Sequence, residues 1–580
     1  MNTLAKMLGA SLLLLLCATE AGATCTASWA YSSARSLGPA LVRCDSPNET
    51  LTVWQQPDEI GNPVWAHSAA TDLNKQHALS ALDWDDLHGL TFATARVPAD
   101  KHLFVELMAT GETLLIGTNA FPADSHLAAN VDIVTSSNAE PGSAGVVVWS
   151  RSSSSESLYE IGGNYKAGVP RLVKLNGQEI FTSGATLSSP FLDSPAECLT
   201  CIDFTGTLAI IAGSGADHVY AEPRIGATNV FTNEGDDTFN IFGIDHLGSL
   251  MIDAGSGGAN TAYIGATGDL FALQGPLLFD GGNCTDALYV RMDGSSNAVN
   301  RQVVLSAQAG NGTIAGLAPA NVSFHCDTFF NAYPSWLDVH AGPKTDAFTV
   351  DGLFALETHI NGTDGEDSVN FKVRHDGTSA GPLFLESDIG TFGISIDDSV
   401  SSVPTDVELR SNYAYFTDRT TQDRAAWVIW NNPANVSSVT VNLGTASNNM
   451  NIYAVPDALS YFIHGGDGGT TIRLAGEKLG QGSSIALIGG AGRDEFTMTP
   501  AAPGSGLVSI NGGGEPAGCG PQASQCGDVL NYLGKASGAV PTSGVLVPPP
   551  GDLSQVVFFN SIEAFDGIFK ACFETGACTP

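Results

Sequence analysis

The segment HGGDGGTTIRLAGEKLGQGSSIALIGGAGRDEFTM, residues 464–498, decides the fold because it contains one pattern twice. Each copy has a glycine-rich turn, then Thr470 or Asp494, then a short stretch in which every second residue is apolar. Such alternation predicts half-buried β-strands. Glycine is expected where the chain turns through positive φ or approaches another backbone closely. The segment therefore predicts stacked strand–turn units.

The same pattern recurs along most of the chain. Copies begin at Ala212, Thr232, Asp253, Asp280, His340, Asn361, Asn442, His464, Ile488 and Asn511. Corresponding turn residues are about 20 to 22 positions apart, which suits one coil of a solenoid. Helical periodicity is nearly absent. We therefore predict an all-β solenoid, similar to a parallel β-helix, in which a turn Asp bonds the backbone two residues on without metal.

A longer period overlies the first. Three aromatic-rich segments, residues 313–342, 408–444 and 542–567, share a pattern and divide the array near Ser335 and Asn435. This predicts solenoid units at 201–335, 336–435 and 436–580, the last with a disulfide-tied C-terminal cap. Residues 24–200 do not repeat visibly, and they predict a β-rich N-terminal cap or head with a short helix possible in 68–87. Solenoids need such caps to protect their open ends.

The first 23 residues predict a secretory signal peptide: a lysine, a short apolar run and a small-residue cleavage pattern, AGA. The run is too short for a membrane span, and no later stretch is long and apolar enough. The mature protein is thus expected outside the cell. Six N-glycosylation sequons are compatible with export: Asn48, Asn283, Asn311, Asn321, Asn361 and Asn435.

Ten cysteines remain after removal of the signal peptide, an even number that favours disulfides in an exported chain. Pairing between sequence neighbours predicts Cys25–Cys44, Cys198–Cys201, Cys284–Cys326, Cys519–Cys526 and Cys572–Cys578. Sequence does not fix this connectivity. The CLTC motif at 198–201 also resembles a redox motif, but no helix start follows it, so we interpret it as a local disulfide.

The net charge of −36, from 60 acidic and 24 basic residues, argues strongly against nucleic-acid binding. Cations, basic partners or a salty exterior suit such a surface better. The alternative is that the charge only keeps the protein soluble.

The turns resemble degenerate repeats of the RTX family, whose calcium-binding pattern is G-G-x-G-x-D-x-apolar-x. Their alternation with strands such as FFNSIEAF is similar to tandem β-strand repeats of large bacterial surface proteins, over about residues 204–566. The resemblance implies extracellular display, adhesion or matrix building, and calcium as a cofactor. The candidate calcium ligands are Asp217, Asp236, Asp237, Asp367 and Asp494. Only GGAGRDEFT keeps every signature position, so the sequence favours stacked Asp turns bonded to the backbone over calcium sites.

Enzymatic motifs are scarce. No nucleophile elbow, zinc-protease motif, P-loop or dinucleotide fingerprint is present. Acidic pairs at Asp236–Asp237 and Asp397–Asp398 fall in expected turns, and Asp85, Asp86 and His88 are more typical of a helix cap. We therefore predict no catalytic residues.

Three hypotheses follow. The first is a secreted structural or adhesive protein that self-associates into a filament, sheath or surface layer. The second is a carbohydrate-binding protein, which requires Trp54, Trp65 or Trp84 at the surface. The third is a polysaccharide lyase or hydrolase, which requires carboxylates from different coils along one sheet. The sequence favours the first.

Overall fold

The computed structural model describes residues 26–31, 37–44, 49–55, 64–70, 95–97, 103–107, 113–117, 131–136, 145–150, 154, 156–162, 171–175, 178–183, 201–202, 207–223, 225–255, 257–265, 270–282, 287–291, 299–308, 311–325, 336–376, 381–387, 389–498, 506–514, 528–532, 544–546, 557–562 and 564–566. These residues form two compact units. Unit 1 comprises residues 1–239 and 244–258, and unit 2 comprises residues 240–243 and 259–580.

The described elements of unit 1 are strands. They are β1 (Thr26–Tyr31), β2 (Leu37–Cys44), β3 (Glu49–Gln55), β4 (Val64–Ala70), β5 (Ala95–Val97), β6 (Leu103–Leu107), β7 (Thr113–Ile116), β8 (Val131–Ser136), β9 (Gly145–Trp149), β10 (Leu158–Gly162), β11 (Arg171–Leu175), β12 (Gln178–Ser183), β13 (Cys201–Ile202), β14 (Thr207–Ile211), β15 (His218–Glu222), β16 (Ile225–Phe231), β17 (Thr238–Ile241), within which the division between the units falls, and β18 (Leu247–Asp253).

Parallel ladders run through unit 1. Strands β3, β7, β9, β14, β16 and β18 pair in that order in one sheet, and each strand is parallel to the next. In the other sheet β2, β6 and β8 are parallel neighbours. The described part of residues 24–200 is therefore β-rich, as predicted, but several of its strands belong to the same parallel ladder as β14, β16 and β18. Their apolar residues lacked visible repeats because hairpins such as β3–β4 interrupt the coils.

The described strands of unit 2 are more numerous. They are β19 (Thr261–Ile264), β20 (Leu277–Asp280), β21 (Ala287–Arg291), β22 (Gln302–Gln308), β23 (Asn311–Ala315), β24 (Val322–His325), β25 (Trp336–His340), β26 (Ala347–Asp351), β27 (Glu357–Asn361), β28 (Glu366–Lys372), β29 (Leu383–Glu386), β30 (Thr391–Asp397), β31 (Thr405–Leu409), β32 (Tyr413–Asp418), β33 (Arg424–Trp430), β34 (Val436–Asn442), β35 (Asn448–Val455), β36 (Ser460–His464), β37 (Thr470–Leu479), β38 (Ser484–Ile488), β39 (Glu495–Met498), β40 (Leu507–Asn511), β41 (Val529–Tyr532), β42 (Gly544–Leu546), β43 (Val557–Asn560) and β44 (Ala564–Asp566). Short 3-10 helices span Leu270–Ala272 and Pro433–Asn435.

Two sheets of unit 2 alternate along the chain, as a solenoid requires. We call sheet 2A the ladder that contains β19, β21, β25, β27, β29, β31 to β33, β35, β37, β39, β41 and β44. Sheet 2B contains β20, β22 to β24, β26, β28, β30, β34, β36, β38, β40, β42 and β43. Most neighbours are parallel, so the predicted all-β solenoid is confirmed.

The core lies between the sheets. Every second residue of most strands is buried, as in β30 and β32, and these residues are almost all aliphatic or aromatic. Residues in register on successive strands, such as Ile452, Leu474 and Met498, form stacked rows. Burial of apolar surface at ~25 cal/mol per Å2 provides the main stabilisation.

Antiparallel excursions interrupt the parallel ladders, and they explain the longer sequence period. Strands β22 to β24 form a meander in sheet 2B, and β31 to β33 form one in sheet 2A. The third aromatic-rich segment contains the β42–β43 hairpin. Along the chain, the first parallel strands after these two meanders begin at Trp336 and Val436, next to the boundaries predicted from sequence. The division into three repeat units remains a prediction.

A column of glycines holds successive turns of unit 2 close together. A Cβ on Gly466 would lie 1.4 Å from the Gly444 carbonyl oxygen, and one on Gly490 would lie 2.3 Å from the Gly466 oxygen. Gly513, at φ +97°, meets the Gly490 oxygen in the same way. No side chain fits these contacts, so the repeated glycines permit the coils to stack.

Within the described part of the chain, no helix is long and apolar enough to cross a membrane. The signal peptide and the short helix considered for 68–87 lie largely outside the described residues.

Candidate functional site

Buried side chains at the corners of the coils join each coil to the next. In unit 1 the Ser157 backbone N–H donates to Asp217 Oδ1 at 2.9 Å, and the Asp217 N–H donates to Asp237 Oδ1 at 2.7 Å. Both carboxylates are almost wholly buried. We call such a series a corner ladder. At these two Asp residues the bond reaches the neighbouring coil. The predicted bond to the backbone two residues on is made by other turn residues, from Gly255 N–H to Asp253 and from Gly282 N–H to Asp280.

A second corner ladder lies at the entry to sheet 2A. The Thr470 N–H donates to Asp494 Oδ1 at 2.7 Å, and the Asp494 N–H donates to Asp528 Oδ1 at 2.8 Å. Asp494 Oδ2 also accepts the N–H of Gly490 at 2.8 Å. In the coil that precedes Thr470, Asn448 takes the same position, and its Oδ1 accepts the Thr405 N–H at 3.1 Å.

A third corner ladder lies at the opposite corner, where the chain enters sheet 2B. The Arg301 N–H donates to Asp346 Oδ1 at 2.7 Å, and the Asp346 N–H donates to Asp367 Oδ1 at 2.8 Å. The sequence pattern placed the copies that begin at His340 and Asn361, which contain Asp346 and Asp367, in one series with the copy that begins at Ile488 and contains Asp494. The structure places these similar turns at two different corners. The turns with Asp346 and Asp367 follow β25 and β27 of sheet 2A, whereas the turn with Asp494 follows a strand of sheet 2B.

Burial shifts the titration of the ladder carboxylates. Desolvation raises the pKa of Asp367 to about 7 and the pKa values of Asp237 and Asp494 to about 6. The nearby Asp346 carboxylate adds to the effect on Asp367, and burial raises the pKa of Asp346 as well. The backbone N–H bonds oppose these shifts without cancelling them.

The five candidate calcium ligands therefore differ in position. Asp217, Asp237, Asp367 and Asp494 are buried in corner ladders, whereas Asp236 is exposed on its turn. Each ladder carboxylate already accepts a backbone N–H, and calcium requires six to eight oxygen ligands. Among the described residues, no group of three or more His, Cys, Asp or Glu side chains is arranged to hold a metal ion. Calcium binding remains a proposal that this donor set does not favour.

The outer face of sheet 2A carries a different set of side chains. Aromatic, acidic and basic residues project outward between the buried rows of β21 to β35. They are Tyr289, Trp336, Asp338, His340, Glu357, His359, Phe384, Glu386, Glu408, Arg410, Tyr413, Tyr415, Arg424, Trp427 and Tyr453. We call this surface the 2A outer face.

One part of the 2A outer face is an aromatic stack. The His359 ring lies between Trp336, with ring centroids 4.0 Å apart, and Phe384, with centroids 4.5 Å apart. Its nitrogens lie 3.7 Å from a Glu357 oxygen and 3.5 Å from a Glu386 oxygen. Carboxylates from adjacent coils thus flank one imidazole. The polysaccharide-enzyme hypothesis required carboxylates from different coils, and sequence reasoning missed these residues.

The meander β31 to β33 forms the other part. The Arg410 guanidinium lies 4.4 Å from the ring centroid of Tyr453, and Glu408 binds both Arg410 and the Tyr413 hydroxyl. Tyr415 and Trp427 meet edge to face with centroids 5.9 Å apart. Arginine–carboxylate pairs beside aromatic rings can bind hydroxyl groups and pack against apolar ring faces.

Trp54 does not provide the expected exposed platform. Its side chain is only 4 % exposed and belongs to the core of unit 1, which argues against its use in carbohydrate binding. The side chains of Trp65 and Trp84 lie outside the described residues. Partly exposed aromatic residues are instead found on the 2A outer face. The alternating residues of β25 and β33 were the sequence signal that could have indicated them.

A cluster of titratable residues lies at the base of the same meander. His375 Nε2 is 2.9 Å from Asp398 Oδ1, and His375 Nδ1 is 3.8 Å from Asp418 Oδ2. Thr405 Oγ1 donates to Asp398 Oδ2 at 3.2 Å. Sequence analysis correctly placed Asp397 and Asp398 at a turn, since β30 ends at Asp397, but it did not pair Asp398 with a histidine.

A small cavity of about 140 Å3 lies next to the 2A outer face. Its lining includes Glu386, Trp430, Asn431 and Asn435. Ligand pockets for small molecules are usually about 300–1,000 Å3, so this cavity is too small for an oligosaccharide substrate.

Several sequence predictions concern covalent features. Of the six sequons, Asn311, Asn321, Asn361 and Asn435 are described; Asn311 and Asn321 are exposed, and the Asn435 amide donates to the Ser387 carbonyl. Asn48 and Asn283 lie outside the described residues, as do Asp85, Asp86 and His88. All ten cysteine side chains also lie outside them, so the five disulfides remain predictions: Cys25–Cys44, Cys198–Cys201, Cys284–Cys326, Cys519–Cys526 and Cys572–Cys578.

Together the ladders and the stacked rows define an all-β protein of solenoid type. The chain matches no protein-family model, and no curated protein is similar to it.

Proposed function

We propose that this chain is an extracellular, non-enzymatic structural or adhesive protein that self-associates through its solenoid units. The corner ladders carry the proposal. Signature Asp residues that could serve as metal ligands or catalysts are instead buried and bonded to the backbone of the neighbouring coil. The hydrogen bonds of these carboxylates hold the coils together, as a structural or displayed scaffold requires.

Sedimentation velocity of the mature protein tests the proposal, first in chelator and then in millimolar calcium, with electron microscopy of the same samples. We expect large or filamentous species. A monomer at all concentrations in both buffers would contradict self-assembly. Loss of the assemblies in chelator would show that calcium is required and would restore the ladder Asp residues as ligands.

A second candidate function is carbohydrate binding, and the 2A outer face favours it. Trp336, Tyr415 and Trp427 lie on this face beside Glu357, Glu386 and the Arg410–Glu408 pair. The pairing of arginine with carboxylate leaves no excess positive charge there. A neutral polysaccharide therefore fits better than a polyanion such as polygalacturonate.

Affinity electrophoresis in gels that contain glucan, xylan, chitin oligomers or polygalacturonate tests this function. Trp427→Ala is expected to weaken retention by a neutral polysaccharide, whereas Phe462→Ala, a matched change of an exposed aromatic residue on sheet 2B, is not. Equal retention of both variants and the native chain would contradict binding at the 2A outer face. A reducing-sugar assay on the same polysaccharides distinguishes binding from hydrolysis.

A further inference from the structure

The His375 cluster connects three elements that are distant in sequence. His375 follows β28, Asp398 follows β30, and Asp418 is the last residue of β32. Thr405, which begins β31, bonds Asp398 with its hydroxyl and Asn448 with its backbone N–H. The cluster thus lies where the antiparallel meander leaves the parallel coils and is attached to them.

The cluster is largely buried. The side chains of His375 and Asp418 are 11 % and 10 % exposed, and the Asp398 side chain is fully buried. Asp418 is also bound by the N–H groups of Thr420 and Thr421, at 2.6 Å and 3.1 Å. Two buried carboxylates at one site repel each other unless a positive charge or a proton is placed between them. The imidazolium form of His375 supplies that charge.

The other charged groups near the ring are few. Arg374 and Asp376 belong to its own segment, and Arg374 is bound by Asp351 of β26 and lies 3.6 Å from Asp376. Arg419, next to Asp418, pairs with Asp406 and donates to the Ser447 carbonyl. Asp398 and Asp418 are therefore the groups that respond to the charge on the ring.

We propose that His375 is a pH-sensitive connection that fastens the β31 to β33 meander to the solenoid when protonated and loosens it when neutral. The meander carries Arg410, Tyr413, Tyr415, Arg424 and Trp427 of the 2A outer face. Mild acid would thus order this part of the surface, and alkali would release it. The connection does not depend on the identity of any partner and goes beyond the proposed function.

The sign follows from the pairing. The hydrogen bond to Asp398, reinforced by the charges of Asp398, Asp418 and Asp376, raises the pKa of His375 above its ordinary value of 6.5. The stabilisation is therefore fully present below pH 6.5 and is lost as the pH rises through the raised pKa. Within that interval, one proton per opening makes the opening constant increase about tenfold per pH unit.

Hydrogen exchange of the full mature chain, measured by mass spectrometry from pH 5 to pH 9 and corrected for the intrinsic exchange rate, tests the proposal. We expect opening of residues 405–430 to increase above pH 6.5, relative to β36 and β38 as an internal reference. His375→Gln keeps an amide donor for Asp398 and is expected to abolish the increase in opening of residues 405–430 above pH 6.5. His464→Gln, a partly exposed histidine at the end of β36, should preserve it.

An identical pH dependence of residues 405–430 in native and His375→Gln chains would overturn the proposal. Asp418→Asn provides an independent variant should His375→Gln fail to fold. Removal of one of the two facing carboxylates should move the midpoint of the opening to lower pH. An unchanged midpoint in Asp418→Asn would also overturn the proposal, because the ring would then not respond to that carboxylate.

Discussion

The corner at Asp494 and the corner at Asn448 perform the same task with different chemistry. Asp494 Oδ1 accepts a backbone N–H from the preceding coil at 2.7 Å, and Asn448 Oδ1 does so at 3.1 Å. Asn448 then satisfies its amide by donating to the Gly444 and Ala446 carbonyls at 2.8 Å and 2.9 Å. The comparison teaches that a neutral amide can replace the carboxylate as the side-chain acceptor at this corner, so negative charge is dispensable there.

Removal of the acceptor is expected to have the largest effect. Asp494→Ala leaves the N–H groups of Thr470 and Gly490 without their acceptors in a buried corner. Each of the two unsatisfied groups costs about 1–3 kcal/mol, so the free energy of unfolding should fall by about 2–6 kcal/mol. Urea denaturation measures it. Asp467→Ala, an exposed change on the preceding turn, is the control, and an equal effect of both variants would contradict a structural role for Asp494.

Addition of charge at the neutral corner should have an intermediate effect. Asn448→Asp keeps the oxygen that accepts from Thr405 but replaces the amide that donates to two carbonyls with an oxygen that repels them. We expect a loss of about 1–3 kcal/mol at pH 8 and a smaller loss at pH 5, where the new carboxyl is protonated. Thermal unfolding at both pH values measures the difference. A pH-independent loss would show that the lost amide bonds, and not the charge, account for it.

The acidic corners should make the native chain more stable in mild acid. The pKa of Asp367 is raised from 3.8 to about 7, so the folded state binds the proton more tightly than the unfolded state does. Stability from this group is complete below about pH 4 and is lost as the pH rises through about 7. Asp367→Asn should therefore reduce the difference in unfolding free energy between pH 5 and pH 8. Asp364→Asn, an exposed change on the same turn, should leave that difference as in the native chain.

The smallest effect is expected at Thr470, which follows Asn448 in the same row. Its Oγ1 accepts the Gly466 N–H at 3.3 Å, and it is too short to reach the preceding coil, where the Asn448 N–H instead donates to the Gly469 carbonyl. Thr470→Val should cost about 1 kcal/mol because one weak hydrogen bond is lost and the shape is kept. A loss as large as that of Asp494→Ala would mean that hydroxyl and carboxylate corners are equivalent.

The solenoid could be predicted from sequence because its signals are local. Glycine turns and alternating strands recur within about 20 residues, and the coil with Ile488 to Met498 shows all of them. The register between coils could not be predicted, since coil length varies and Asp346 and Asp494 lie at opposite corners despite similar turns. The aromatic-rich segments were interpreted as a longer repeat, and the antiparallel hairpins that they contain could not be predicted from that pattern.

The candidate surface was less predictable for the same reason. His359 acquires its neighbours Trp336 and Phe384 from strands 23 residues before it and 25 residues after it. Nothing within β27 indicates that these rings will stack on it. His375 and Asp398 likewise meet only because β28 and β30 are parallel neighbours in register. Such clusters depend on coil lengths that sequence patterns do not specify to within one residue.

The glycine column has a consequence for how such a chain can change in length. A Cβ on Gly466, Gly490 or Gly513 would meet the carbonyl oxygen of the column glycine one coil earlier, so these successive coils repeat one contact. Duplication or deletion of a whole coil restores glycine against carbonyl at the new junction. A duplication that ends within a coil instead places a side chain against that carbonyl and breaks the column. Insertions and deletions should therefore be tolerated when they span whole coils. The length of the chain can then vary, whereas the sequence of its turns cannot.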